Sequence, residues 1–359
     1  ATIEDRIKKG RLTTYGLMGT GLHGGNGLKV EASLHIYQIY VLPRILHGLD
    51  CILINTSSLT RLEVTYRSLL KQIQGLPKRA ANPAAYILSG ALPIEAEIDK
   101  KKVMLLPRLA ENPMMRRLLH RQIAVKNQKS NSWTIHAQAT LAKYDLPHLS
   151  QIIENPPSKD EWKKTVNSAI HKHWMETLEK EASKMTTLKY LNKSFKPKQV
   201  HPVWKHASTS IKDVRRSTYK ARMLTGVYIL QATRAAFNQS PNKTCPLCNI
   251  EDEDIIHFIC RCETLKETRK PHLIKIFDQV PYIYLEHPST WQDEGLAQLI
   301  LDSSHPDVIQ VLPEIIAFIP LIDKIALTLT FALHRTRSKL LDEKTRDSRP
   351  KTRKSGKTI

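Results

Sequence analysis

The sequence predicts a mainly α-helical protein that ends in a basic tail. Apolar residues recur three or four positions apart along most of the 359 residues, which is the spacing of one helix face. Prolines and glycines interrupt this pattern where helices would begin or end. Only one short stretch, residues 245–262, is rich in cysteine and histidine, and these residue types predict a small knuckle between helices.

Residues 1–110 form the first predicted region, a helical bundle. Its first helix is expected to bury Ile3, Ile7 and Leu12 and to expose Arg6. A helix kinked near Pro43 follows, and then a helix that Ser58 caps. The inward face of that last helix is predicted to contain Leu62, Tyr66, Leu69, Leu70 and Ile73. Pro83 and Pro93 are expected in the first turns of two further helices.

The helix after Ser58 has a basic edge that continues past its end, formed by Arg67, Lys71, Lys78 and Arg79. Two interpretations are open at this stage. The edge is either an ordinary solvated face or a face that binds a nucleic-acid backbone.

Residues 111–202 are predicted to be a helical connector. Trp162, Val166, Ile170 and Trp174 lie four residues apart and predict one buried helix face.

Residues 203–275 are predicted to contain a basic helix followed by the knuckle. Lys220, Arg222 and Arg234 are the basic residues of this helix and its continuation. They either contact nucleic acid or belong to a helix that packs on the knuckle, and the two roles are compatible.

The knuckle contains the motif C-x2-C-x8-H-x4-C, which offers Cys245, Cys248, His257 and Cys262 as four metal ligands. Thiolate and imidazole ligands at such spacing are typical of tetrahedral zinc. Because protein would fill all four positions, the motif favours a structural Zn2+ site over a catalytic one. Cys260 is an alternative fourth ligand, but one more helical turn brings Cys262 round to the face of His257. A disulfide framework is disfavoured by the odd count of five cysteines and by the lack of a signal peptide.

Residues 276–341 are predicted to be a C-terminal helical region, and residues 342–359 a disordered basic tail. From Asp323 onward, Ile325, Leu329, Ala332 and Leu333 are expected on one buried face. The most apolar stretch, residues 315–333, contains Pro320, Asp323 and Lys324, so no membrane span is predicted.

The formal net charge of +21 predicts a polyanionic partner. Aromatic residues make up only 6% of the chain, so phosphate contacts are expected to supply most of the binding. Reduced thiols in a metal knuckle favour a reducing compartment, the nucleus or the cytoplasm.

Several runs resemble the C-terminal part of non-LTR (LINE-type) retrotransposon reverse transcriptases. Towards the knuckle these runs are Arg222-Met-Leu-Thr-Gly226, Phe237-Asn238-Gln239, Cys245-Pro-Leu-Cys248 and His257-Phe258. Near the start they are Tyr15-Gly-Leu-Met-Gly19 to His23-Gly24, Tyr40-Val-Leu-Pro43-Arg44 and Gly90-Ala-Leu-Pro93-Ile94-Glu95-Ala96. The resemblance extends from near Ile3 to about Arg269.

The resemblance implies that residues 1–110 are the helical thumb, which would clamp the template-primer duplex. The knuckle and its basic helix would bind the element's RNA or target DNA, in the nucleus or in a cytoplasmic ribonucleoprotein. The parent enzyme would be an RNA-directed DNA polymerase. Such polymerases hold two metal ions on palm aspartates, two of them adjacent, and no two aspartates are adjacent in this sequence. We therefore expect this segment to be inactive alone.

The sequence begins at Ala1 and enters a helical pattern at once, so we expect it to be a segment of a longer protein. The alternative hypothesis is a standalone zinc-dependent nucleic-acid-binding protein derived from a retroelement. A reading frame that continues upstream into a palm motif would favour the enzyme, and a nearby start codon would favour the binding protein.

Overall fold

The structure is a computed structural model that describes residues 2–23, 25, 27–125, 132–279 and 292–347. Within these ranges it is mainly helical and contains no β-strand, only an isolated bridge between Thr244 and Asp252. The chain divides into two compact units. The first unit is Ala1–Lys189, Lys193–Lys205 and Thr209–Val214, and the second is Tyr190–Asn192, His206–Ser208 and Arg215–Ile359.

The first unit consists of helices that cover most of its described residues. These are Ile3–Met18, Val30–Ile36, the π-helix Tyr37–Val41, Leu42–Leu46, Thr56–Ile73, Asn82–Ser89, Ile94–Glu111, Pro113–Val125, Trp133–Lys143, Leu149–Glu154, Lys159–Ser183, the 3-10 helix Thr186–Leu188 and Pro202–Lys205. Helix Ile211–Leu224 begins within the first unit and ends within the second.

The first helix buries a different face from the predicted one. Ile7 is buried as expected, but Arg6 is also buried, while Leu12 is 63% exposed. Gly10 explains the choice of face, because a Cβ at this position would lie 2.6 Å from the side chain of Ile45. The first helix therefore directs Gly10, and not the larger Leu12, towards the neighbouring helix.

The predicted kink near Pro43 takes the form of a π-helical turn at Tyr37–Val41. Proline lacks an N–H group and its ring crowds the preceding helical turn, so a regular helix cannot run through it. The chain accommodates Pro43 by widening the turn before it, with the Leu42 N–H donating to the carbonyl of Tyr37.

The N-cap of helix Thr56–Ile73 lies three residues before the predicted one. Asn55, and not Ser58, is the N-cap, and its Oδ1 accepts a hydrogen bond of 2.8 Å from the Ser58 N–H. The predicted inward face is buried throughout. The helix ends before Gly75, whose φ of 63° lies in the left-handed region that glycine adopts without strain.

The core of the first unit contains three stacked or tilted tyrosine rings. The ring centroids of Tyr37 and Tyr66 are 5.9 Å apart, and those of Tyr66 and Tyr86 are 6.5 Å apart. The Tyr66 hydroxyl donates to the Leu92 carbonyl at 3.1 Å, so this buried phenol has a partner. Trp162 is buried as the sequence predicts, and its indole N–H donates to the Val103 carbonyl.

The second unit is built around its longest helix, Ile319–Asp347. Its other elements are Gln231–Ala236, the π-helix His257–Arg261, the 3-10 helix Glu263–Leu265, Lys266–Gln279, Asp293–Leu301, Pro306–Val311 and the 3-10 helix Pro313–Phe318. Helices Lys266–Gln279 and Ile319–Asp347 pack along each other.

The face that helix Ile319–Asp347 buries is offset from the predicted one. Ile322, Ala326, Leu329 and Leu333 are buried at spacings of three and four, whereas Ile325 and Ala332 are only half-buried. The helix also extends to residue 347, so the first six residues of the predicted disordered tail are helical. The rest of that tail, residues 348–359, lies outside the described residues.

One stretch of the described chain, Pro313–Arg346, is long and apolar enough to cross a membrane by length and composition. Core helices of soluble proteins pass the same test. This stretch contains the buried residues Asp323 and Arg337, and each forms an ion pair within the second unit. We interpret it as the core helix of that unit.

Candidate metal centre

The second unit brings together the side chains of Cys245, Cys248, His257 and Cys262. One potential ligand atom from each lies within 4.8 Å of all the others, and Cys245, His257 and Cys262 are buried. The Cys245 and Cys262 sulfurs are 3.9 Å apart, and the Cys248 sulfur is 3.4 Å from Nε2 of His257. The four predicted ligands therefore converge on one point and could hold a metal ion. We call residues 231–265 the metal module.

Backbone hydrogen bonds shape the turn that carries the first two cysteines. The Asn249 N–H donates to the Cys245 carbonyl at 2.9 Å, and Asn249 adopts a left-handed φ of 57°. Asparagine tolerates this region better than most residues, so it suits the end of the turn. The Cys245 N–H in turn donates to the Glu251 carbonyl at 2.7 Å, which folds the chain back on itself.

The other two ligands are brought together by the π-helical turn His257–Arg261. The Cys262 N–H donates to the carbonyl of His257, five residues earlier, at 2.7 Å. This wide turn brings residues five apart onto the same side, as a regular α-helix would not. Cys260 lies outside the group, and its thiol donates to the Asp293 carbonyl at 3.3 Å. The fourth member of the group is therefore Cys262.

Two acidic residues contact His257. Nδ1 of the imidazole lies 3.1 Å from Oε2 of Glu251, and the backbone N–H of His257 donates to Oδ1 of Asp254 at 2.7 Å. A carboxylate at Nδ1 favours the tautomer in which Nε2 is free to bind a metal. Nε2 is the nitrogen that faces the Cys248 sulfur.

The two buried thiols interact directly. Contact with the Cys262 sulfur and burial raise the pKa of Cys245 to about 12, while the hydrogen bond from Cys245 lowers the pKa of Cys262. Cys245 thus holds its proton more firmly, and Cys262 loses its proton more readily, than an ordinary cysteine. A bound metal cation would replace that proton, because metal ligation deprotonates thiols outright.

Behind the ligand group, a buried ion pair connects the metal module to helix Ile319–Asp347. Both oxygens of Glu253 accept from the guanidinium of Arg337 at 2.7 Å, and the Gln231 N–H also donates to Glu253 at 2.8 Å. Glu253 is 1% exposed and Arg337 is 8% exposed. The bidentate geometry satisfies the carboxylate in a site that excludes water.

Two more cations hydrogen-bond to carbonyl groups of the metal module. The buried Arg269 donates to the carbonyls of Ile259 and Cys262, at 2.5 and 3.0 Å. Lys344, near the end of the long helix, donates to the carbonyl of Pro246 at 2.5 Å. The sequence did not predict these contacts or the ion pair of Arg337. The position of Arg337 was the available signal, because it follows the buried Leu333 by four residues and therefore lies on the same face of its helix.

The seven residues predicted to contact nucleic acid fall into three groups by exposure. Lys78, Arg79 and Arg234 are exposed, Arg67 and Arg222 are half-buried, and Lys71 and Lys220 are buried. The Arg67 guanidinium lies 3.8 Å from the carboxylate of Glu63, and that of Arg222 lies over the Tyr219 ring, 5.5 Å from its centroid.

The interpretation of Lys71 as a surface cation requires correction. Its ammonium donates to the carbonyls of Lys78 and Ala80 and to Oδ1 of Asn82, at 3.0, 2.5 and 2.9 Å. Burial, and after it the neighbouring Arg67, lower the pKa of Lys71 to about 8. Lys71 therefore fastens the turn after its own helix and does not face solvent.

The interpretation of Lys220 requires the same correction. It is 1% exposed, and its ammonium lies 2.8 Å from Oδ1 of Asp323, which also accepts from Ser303. The other oxygen of Asp323 is 2.7 Å from Nδ1 of His206. Burial alone would raise the pKa of Asp323, but Lys220 and His206 hold it well below its usual range. Lys220 thus belongs to the core of the second unit.

Comparisons of this chain with protein-family models, with curated proteins and with solved structures found no match.

Proposed function

We propose that this chain is a zinc-stabilised, nucleic-acid-binding segment. The single observation that carries the proposal is the convergence of three thiols and one imidazole within 4.8 Å in an otherwise strongly basic chain. A metal-stabilised module in a polycationic protein suits binding to a polyanion, and nucleic acid is the commonest partner of this kind.

The donor set and its spacing fit zinc. Tetrahedral zinc with bonds of about 2.3 Å to sulfur and about 2.0 Å to nitrogen requires neighbouring sulfurs about 3.8 Å apart and sulfur–nitrogen pairs about 3.5 Å apart. The Cys245–Cys262 sulfur pair at 3.9 Å and the Cys248–His257 pair at 3.4 Å lie close to these values. Three thiolates and an imidazole also favour zinc over the harder cations, which prefer oxygen ligands.

The role of the metal would be structural. Cys245, Cys248, His257 and Cys262 would occupy all four positions of a tetrahedral ion, which leaves none for a water or a substrate. When bound, zinc would supply folding free energy to a module with few buried apolar side chains. The ion would also hold the knuckle turn and the π-helical turn in fixed positions.

The exposed basic residues would bind phosphate groups without reading base sequence. Lys78 and Arg79 extend from the turn after helix Thr56–Ile73, and Arg234 lies at the end of helix Gln231–Ala236 in the metal module. Contacts of this kind fix a protein on the nucleic-acid backbone and release counterions.

We further propose that this segment is the C-terminal part of a LINE-type reverse transcriptase, on the resemblance of its motif runs. In that role, residues 1–110 would clamp the template-primer duplex and the metal module would bind element RNA or target DNA. DNA synthesis would require palm carboxylates from elsewhere in the enzyme, because the sequence has no adjacent aspartates.

The test measures zinc content and nucleic-acid affinity of the full chain, Cys248→Ser and Cys260→Ser over a salt series. We expect one bound zinc in the full chain and in Cys260→Ser, and steeply salt-dependent binding of RNA or DNA by both. Cys248→Ser should lose the metal and bind nucleic acid more weakly. A full chain that holds zinc but has no salt-dependent affinity for either nucleic acid would contradict the proposed function.

A further inference from the structure

The first unit contains an open cleft of about 550 Å³ that the sequence analysis did not anticipate. It lies between helix Val30–Ile36 and the chain segment 198–200. The lining residues that matter for its chemistry are Lys29, Glu31, His35, Ser89, Lys198 and Lys205. Its volume lies in the range that accommodates small organic ligands, and it would hold one nucleotide unit.

The charge of the lining favours an anion. Three lysines line the cleft, and among the described lining residues Glu31 is the only acid. Glu31 forms an ion pair of 2.7 Å with Lys29, whose ammonium also donates to the Lys205 carbonyl at 2.9 Å. The side chains of Lys198 and Lys205 are exposed, and each adds a positive charge at the mouth of the cleft.

One wall of the cleft is fixed by the backbone. The Lys198 N–H donates to the Gly90 carbonyl at 2.7 Å, and the His201 N–H donates to the Leu88 carbonyl at 3.0 Å. A Cβ at Gly90 would lie 2.3 Å from the carbonyl oxygen of Gln199, so only glycine permits this approach. The wall therefore holds Lys198 in place before any ligand arrives.

Lys198 itself adopts a strained conformation. Its φ is 65°, in the left-handed region that residues with a Cβ rarely adopt. Such strained residues concentrate at ligand-binding positions, where the surrounding structure holds them in place. Here the flanking backbone hydrogen bonds fix the backbone from which the exposed Lys198 side chain extends.

We propose that this cleft binds a phosphate group of a nucleic-acid strand, with Lys198 and Lys205 as its charged contacts. The proposal rests on the proposed nucleic-acid-binding function and names a contact site within it. The exposed His35 adds a further polar group to the lining. A flexible single strand fits such a cleft better than a duplex, because it can turn one phosphate inward.

The test compares two double variants of the full chain. Lys198→Asn with Lys205→Gln removes both charges, and asparagine at 198 tolerates the left-handed backbone. The matched control, Lys164→Gln with Lys180→Gln, removes two exposed charges of the same unit that do not line the cleft. Binding of a fluorescein-labelled 12-nucleotide RNA is measured by anisotropy over a salt series, and circular dichroism verifies that both variants are folded.

We expect the cleft variant to bind the RNA several-fold more weakly than the control variant. The slope of log affinity against log salt should fall by about 0.7, because the cleft would neutralise one phosphate of the single strand. Equal affinities and slopes for the two variants would overturn the cleft proposal while leaving the proposed function intact.

A second measurement distinguishes binding of an RNA strand from binding of a free nucleotide. Adenosine monophosphate is titrated into full-length protein and the cleft variant, and amide chemical shifts of residues 198–200 are followed. If the full chain fails to bind RNA but the nucleotide shifts these amides saturably, and the variant loses the effect, the phosphate site stands and the proposed function fails. If neither probe binds at the cleft, both proposals fail.

Discussion

The first unit and the metal module reach a stable fold by different means. Helices of up to 25 residues build the first unit, and its buried side chains are overwhelmingly apolar. In the metal module the longest helix, Gln231–Ala236, has six residues, and its interior includes Cys245, Cys262 and Glu253. Apolar side chains dominate the interior of the first unit, whereas the interior of the metal module has buried thiols and polar contacts that a bound metal ion would stabilise.

The comparison also explains where the basic residues are. Each unit contains buried cations that hydrogen-bond to the backbone or to a carboxylate of the fold, as Lys71 does in the first and Arg269 and Arg337 do in the second. A high positive charge therefore does not mean that every cation is available to a polyanion. The nucleic-acid contacts must come from the exposed remainder.

The largest expected effect comes from removing a metal ligand. Cys262→Ser should lose the bound zinc and unfold the metal module, because structural zinc in small peptides contributes on the order of 10 kcal/mol. The first unit should keep its fold. Hydrogen exchange followed by mass spectrometry would measure both, with fast exchange in residues 231–265 and unchanged protection in helices Thr56–Ile73 and Ile94–Glu111.

Cys260→Ser is the matched control for that experiment, since it removes a thiol two residues away that lies outside the ligand group. It should retain the metal and the protection of the module. Loss of zinc in Cys260→Ser, with zinc retained in Cys262→Ser, would reverse the assignment of the fourth ligand.

The next effect concerns the ion pair behind the metal centre. Glu253→Gln should destabilise the metal module by about 3–5 kcal/mol, because it leaves the buried Arg337 guanidinium without a counter-charge. Denaturant titration of the zinc-loaded protein, followed by hydrogen exchange in the module, would measure this loss. Glu263→Gln is the control, as its ion pair with Lys266 is mostly exposed and its loss should leave the stability of the module nearly unchanged. Equal losses in the two variants would mean that the buried pair adds nothing to the module.

Sequence patterns predicted the helical class and the four side chains that the structure brings within 4.8 Å of one another, since both depend on local spacing. The mainly helical structure of the described residues confirms the first prediction. The spacing argument preferred Cys262 over Cys260 for a reason that differs from the observed one. A π-helical turn, not another α-helical turn, brings Cys262 beside His257, and nothing in the residue types of that turn indicates its width.

Contacts between distant residues could not be predicted in the same way. Lys220 was expected at the surface, yet its helix buries Val214, Ser217, Ala221 and Leu224, and Lys220 lies on that face. Its partner, Asp323, is 103 residues away in the chain. A basic residue is buried only where such a partner exists, and periodicity cannot supply the partner's position.

The smallest expected effect is a pH dependence that separates Lys71 from its exposed neighbour. Lys71 has a folded pKa of about 8, whereas an unfolded lysine titrates near 10.4. As pH rises above 8, the folded protein releases this proton before the unfolded chain does, so the stability of the first unit should rise up to about pH 10. Relative to Lys71→Met, the full chain should therefore gain about 2–3 kcal/mol between pH 7 and pH 10. Urea unfolding followed by tryptophan fluorescence suits this test, because Trp133, Trp162, Trp174 and Trp204 all lie in the first unit.

Lys78→Met is the control, because it removes an exposed ammonium. Its stability should follow that of the full chain at every pH. A stability difference for Lys71→Met that stays constant with pH would mean that Lys71 keeps an ordinary pKa and faces water.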